Sequence, residues 1–156
     1  MTPPPQLTAT ELRQQMLHYV AETMDATGYP DGWWRGTSSI DKLPWIPEEY
    51  EYSAFDCDGT GPEDAQQYGQ YLSHDPGADS VELAERVVAR WLELGYPVSL
   101  VSSPSTVLGV IRVTEYRADL TNGVYLGLFS SDKVLGIHVT SSCSTHPSLY
   151  ADDDTP

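Results

Sequence analysis

Leu94-Gly95-Tyr96-Pro97-Val98-Ser99-Leu100-Val101-Ser102 is the stretch where the chain changes its period. Upstream, Ala84, Val87, Val88, Trp91 and Leu92 recur at three- and four-residue spacing, the stripe of an amphipathic helix from about Ser80 to Leu94. Asp79 and Glu82 stand at capping-box spacing at its start. Gly95 and Pro97 close it in the usual order, because glycine takes the left-handed cap and proline cannot continue the helix. Downstream the apolar period is two, which marks half-buried strands. Strands are expected at about 98–102, 107–117, 122–130 and 134–142. Their apolar residues are Leu108, Val110, Ile111, Val113, Val124, Leu126, Leu128, Val134, Leu135, Ile137 and Val139. The expected turns are Ser103-Pro104, Thr121-Asn122-Gly123 and Ser130-Ser131-Asp132-Lys133, with Asn122-Gly123 the strongest hairpin signal.

Working back toward the N-terminus, Thr8 and Glu11 form a second capping-box pattern. Leu12, Met16, Tyr19, Val20 and Thr23 follow at helical spacing until Gly28 and Pro30 end the helix. Residues 29–64 are irregular and hold Trp33, Trp34, Trp45, Tyr50, Tyr52 and Cys57. A loop of that length is functional or pinned in place, and buried tryptophans plus a bridge would pin it. Residues 65–74 form a further strand candidate. The order helix, loop, strand, helix, meander predicts an α+β fold. It would be one antiparallel sheet of four to five strands with two helices on one face. A single domain over 8–146 is expected, after a disordered proline-rich leader at 1–7 and before an acidic flexible tail at 147–156.

The chain has 156 residues, with 8 basic against 23 acidic side chains and a net charge of −15. That balance argues against nucleic acid, since phosphate contacts need clustered Lys and Arg, and against an anionic membrane surface. Eight acids (Asp41, Glu48, Glu49, Glu51, Asp56, Asp58, Glu63, Asp64) crowd one stretch against Lys42, a face suited to a basic partner. No stretch approaches the ~20 apolar residues of a membrane span, so no transmembrane segment is expected. Cys57 and Cys143 are the only cysteines. They read better as one disulfide than as a zinc site, which needs about four ligands and close pair spacing. A bridge places the chain outside the reducing cytoplasm. The lack of a basic-then-apolar signal segment reads the other way, as cytoplasmic. Met1 followed by Thr-Pro-Pro-Pro-Gln looks like a linker behind an added start codon, which favours the exported reading with its signal removed.

Gly32-Trp33-Trp34, Cys57, Leu94-Gly95-Tyr96-Pro97-Val98 and Ser141-Ser142-Cys143 together resemble the mature part of small exported lipoproteins and secreted proteins of actinobacteria. Those proteins share an amphipathic first helix, a Trp-containing loop with a first cysteine, a second helix and a meander ending in Ser-x-Cys. The likeness spans about residues 8–146 and implies export and a paired cysteine rather than a reaction. This chain departs from the pattern in having no lipid-bearing cysteine before the domain and in opening on Met1.

Phe55-Asp56-Cys57-Asp58-Gly59-Thr60 resembles the first motif of haloacid-dehalogenase-type phosphatases, in which one Asp attacks phosphorus and the pair holds magnesium. The context fails, because that motif closes a buried parallel strand and Glu49, Glu51 and Ser53 precede it here. Asp56, Asp58 and Asp64 are a weak metal set without the spacing of a calcium loop. His18, His74, His138 and His146 are dispersed, with His138 expected to face solvent from a strand. The serines at 99, 102, 103 and 105 lack a nucleophile elbow. No catalytic residue and no cofactor is therefore assigned. The expectation is a non-enzymatic extracytoplasmic binding domain for a protein or cell-envelope component. Trp33, Trp34, Trp45, Tyr50 and Tyr52 are its candidate contacts. The alternative is an acidic immunity or inhibitor protein masking a basic toxin or enzyme site.

Overall fold

Helix α1 (Ala9–Thr27) starts at the predicted cap. The Thr8 hydroxyl accepts from the Glu11 amide at 3.2 Å, and the Glu11 carboxylate accepts from the Thr8 amide at 2.9 Å. Gly28, at φ 84°, ends the helix in the left-handed conformation, and its amide donates to the Asp25 carbonyl. The computed structural model describes residues 6–36, 43–49, 52–57, 65–75, 80–107, 111–131 and 134–149.

Among the described residues eight strands and a second helix follow: β1 (Trp34–Arg35), β2 (Phe55–Asp56), β3 (Gln66–Gln67), β4 (Gly69–His74), α2 (Ser80–Glu93), β5 (Val98–Val107), β6 (Ile111–Asp119), β7 (Tyr125–Ser130) and β8 (Leu135–Thr140). Six form one antiparallel sheet in the order β1-β4-β8-β7-β6-β5, while β2 and β3 pair as a separate ribbon. The class is α+β, and the expected four to five strands undercount it. β1 and β2 fall outside the expected strands, and the candidate at 65–74 divides into β3 and β4. The two-residue strands carry no period of their own; pairing with distant partners makes them.

Alternation decides which face meets the helices. Leu126 and Leu128 of β7, Leu135, Ile137 and Val139 of β8 and Leu72 of β4 are buried with Leu12, Met16 and Val20 of α1 and Val87 and Trp91 of α2. Each fully buried large aliphatic side chain contributes about 1.5–3 kcal/mol relative to exposure. On α2 the buried stripe is Leu83, Ala84, Val87 and Trp91, whereas Leu92 is 58% exposed. Leu92 was expected on the core stripe; one residue past Trp91, it is turned by about 100° off the buried arc.

The meander matches its turn signals in two of three places. Asn122 takes left-handed angles (φ 57°, ψ 38°) within the short turn Thr121–Gly123 between β6 and β7. The Ser131 amide and the Val134 carbonyl close the β7–β8 turn. Ser103-Pro104 is not a turn, and β5 continues through it to Val107 with register shifts around Ser102. β5 is an edge strand, where a bulge and a proline are tolerated because one row of amides needs no partner. Of the expected strand residues, Leu108 and Val110 lie outside the described residues. At the C-terminus, Pro147–Leu149, which the sequence put in the tail, form a 3₁₀ turn, and Leu149 is buried in the core.

Candidate functional site

The core stripe of α1 runs through Leu12, Met16, Val20, Thr23 and Met24. Beside it, partly buried Leu17 and exposed Ala21 continue the apolar surface, and together with the edge of Met24 they make a second stripe. This second stripe forms one wall of a groove of about 570 Å³. From Thr10 to Met24, both of which line it, the wall follows about 21 Å of helix. The floor holds Pro30, Gly32 and Trp33; the far wall is Trp45, Pro47 and Tyr52.

The far wall belongs to the long irregular loop, and specific bonds hold it. The Trp45 amide donates to the Trp33 carbonyl at 2.9 Å, and the Arg35 amide to the Leu43 carbonyl at 2.8 Å. The Trp33 indole donates to the Tyr29 carbonyl at 2.7 Å, which fixes the floor. Tyr52 donates its hydroxyl to the Pro47 carbonyl at 3.0 Å and meets Trp45 edge-on, with ring centroids 6.5 Å apart. At the end of the loop, Cys57 is bonded to Cys143, and the Cys57 amide donates to the Ala65 carbonyl at 3.0 Å. The predicted pinning by tryptophan and a bridge is what the loop has.

Polar groups rim the groove. Arg13 lies over the Tyr68 ring at 5.6 Å and donates to the Thr10 hydroxyl at 3.3 Å. Asp31 and Glu48 supply negative charge. An apolar trough with a few charged groups at its edge has the form of a ligand or peptide site.

Three of the five expected contact residues, Trp33, Trp45 and Tyr52, come together here. Trp34 is buried on β1 opposite Ser73 and does not line the groove. Tyr50 lies outside the described residues. Leu17, Ala21 and Met24 escaped the sequence reading. Arg13 and Gln14 interrupt their stripe and make it look like a solvent face.

The weaker candidates are scattered. Asp56 stands exposed on the short antiparallel β2, accepting from the Gln66 side chain at 3.4 Å; Asp58 and Asp64 lie outside the described residues. Among the described residues no group of three or more His, Cys, Asp and Glu is gathered to hold a metal. His18 stands beside Glu22 at 3.6 Å, His74 stacks on Tyr29, and His146 bonds Ser148.

No known family model matches this chain, and no curated protein matches it. Among solved structures it is similar to the crystal structure of a DUF4853 family protein from Actinomyces odontolyticus. The TM-score is 0.56 at 12% identity, over 100% of this chain and 75% of that one. At that identity the likeness shows a shared fold, and the neighbour's family name assigns no activity. The neighbour is actinobacterial, as are the exported proteins that the sequence resembles. No helix among the described residues is long and apolar enough to cross a membrane.

Proposed function

We propose that this chain is a non-enzymatic extracytoplasmic binding domain, secreted or lipid-anchored, that takes an apolar segment of a protein or cell-envelope component into the groove along α1. The observation that carries this reading is the convergence of Trp33, Trp45 and Tyr52 with Leu17, Ala21 and Met24 of α1 on one trough. Burying aromatic and aliphatic surface of this kind supplies most of the free energy of recognition, and the charged rim sets orientation. The Cys57–Cys143 bond supports an oxidising compartment. Capture from solubilised envelope fractions of the producing cell, comparing wild type with Trp45→Ala and Ala21→Glu, tests the groove. Loss of the captured species in both variants is expected; unchanged capture in both rejects the groove.

A second reading, the immunity or inhibitor protein, draws on the −15 charge and on Asp31 and Glu48 at the rim. It requires association that weakens steeply with salt, whereas apolar anchoring does not.

A further inference from the structure

The face of the sheet away from the helices carries a second array of side chains, in an order set by strand register. Tyr71 on β4 is directly opposite His138 on β8, and their rings stack at 3.8 Å, 12° from parallel. Tyr125 from β7 is the next ring, 5.0 Å from His138, and the Arg117 guanidinium of β6 lies 4.6 Å over it. Gly127 makes this row possible. It is the register partner of both His138 and Arg117, and a Cβ there would stand 2.6 Å from the Tyr125 hydroxyl oxygen. Only glycine leaves room for that ring to lie across the strand. Phe55 does the same over Gly69, where a Cβ would stand 2.9 Å from the ring.

Phe55, Tyr71, Arg117, Tyr125 and His138 wall a hollow of about 570 Å³ that is separate from the groove along α1 and shares no residue with it. Its chemistry is different. Phe55 and Tyr71 are 43% and 44% exposed, so they offer apolar surface to an incoming group. Between them lie polar atoms without partners among the described residues: the hydroxyls of Tyr71 and Tyr125 and both ring nitrogens of His138. Arg117 and Asp119 are the only charged residues lining the hollow among those described, and they pair with one another at 2.8 Å. Burial pulls the His138 pKa down to about 4, so near neutral pH its imidazole is uncharged and has one donor and one acceptor nitrogen.

We infer that this hollow is a binding site for a neutral oligosaccharide. A phosphate or carboxylate ligand would meet no unpaired cation, in a chain whose net charge already repels it. A purely apolar ligand would bury the phenol and imidazole atoms unbonded, at about 1–3 kcal/mol each. A pyranose has apolar C–H faces for the rings and hydroxyls that both donate and accept for the tyrosines, the imidazole and the Arg117–Asp119 pair. The inference does not rest on the groove reading.

Calorimetric titration of the full oxidised chain at neutral pH with cellohexaose, chitohexaose and maltohexaose at millimolar concentration tests it. Saturable binding of at least one is expected. Tyr71→Ala should weaken that binding about tenfold, the effect of losing one ring contact. His138→Phe keeps a stacked ring but removes both nitrogens and should also weaken it, with folding of each variant checked by circular dichroism. Trp45→Ala, in the other groove, should leave it unchanged. No saturable binding to any of the three, unchanged affinity in folded Tyr71→Ala and His138→Phe, or loss in Trp45→Ala would overturn the inference.

Discussion

Cys57 and Cys143 are 86 positions apart in the chain, and their bond brings the Cα atoms to 6.1 Å. One cysteine follows the ribbon strand β2; the other follows β8, in the middle of the main sheet. Gln66 bridges to Ser144 beside them, so the ribbon is attached to the sheet by backbone bonds as well as by sulfur. The loop that forms the groove's far wall is thus held at Trp45 by Trp33 and at Cys57 by Cys143. A segment with little regular structure becomes a fixed surface.

Removing the bridge should cost stability chiefly through the unfolded chain. For a closed loop of this length the chain-entropy relation gives about 4–5 kcal/mol, and measured values often fall below it. Urea unfolding of wild type against Cys57→Ser with Cys143→Ser should show a clear drop in midpoint. Amide exchange over residues 43–57 should rise in the same variant. An unchanged midpoint and exchange pattern would remove the bridge from its structural role.

Trp33 and Trp45 both line the groove but differ in burial: Trp33 is 3% exposed and belongs to the core, while Trp45 is only partly buried against it. Trp33→Ala should therefore cost about 3–5 kcal/mol, as a large-to-small core change does. Trp45→Ala should cost less than half as much, leaving a folded protein with a damaged groove. Chemical denaturation of the two variants checks the order, and its reversal would exchange floor and wall.

His138 sets a pH signature. Its pKa falls from the ordinary 6.5 to about 4 because burial disfavours the imidazolium. Between those pH values the unfolded chain binds a proton that the folded chain does not, so stability falls as pH drops from about 6.5 toward 4. Many carboxylates titrate in the same range. The difference between wild type and His138→Phe isolates the histidine, and the variant should lose less stability over this window. Parallel curves would mean that His138 ionises as readily folded as unfolded.

Gly127→Ala should destabilise by about 1–3 kcal/mol through overpacking against Tyr125. A Gly127→Ala, Tyr125→Ala double variant should recover part of the glycine's loss, since the clash partner is gone. Additive losses in thermal melts would show that the ring does not lie over this glycine.

Much of this architecture was legible in the chain because local chemistry and global packing agree. Thr8, Glu11 and Gly28 mark α1 by themselves, and Asn122-Gly123 marks the β6–β7 turn. Ser103-Pro104 misled because the same residue types serve a turn and a bulged edge strand; which one forms depends on strand order, and local sequence does not encode it. The short strands β1, β2 and β3 are products of tertiary pairing. At the groove, the aromatic residues were legible by type, but the helix wall was not, because polar Arg13 and Gln14 stand among its members. On the open sheet face, Tyr71, His138 and Tyr125 are ordinary outward positions until register places them in one row.

The Cys57–Cys143 bridge holds the groove wall and supports an oxidising compartment for the chain. The most direct test is alkylation of the denatured protein, isolated from its producing cell without reductant and read by intact mass. The bridge predicts no adduct before reduction and two after it. Two adducts before reduction would contradict it, and with it the exported binding domain.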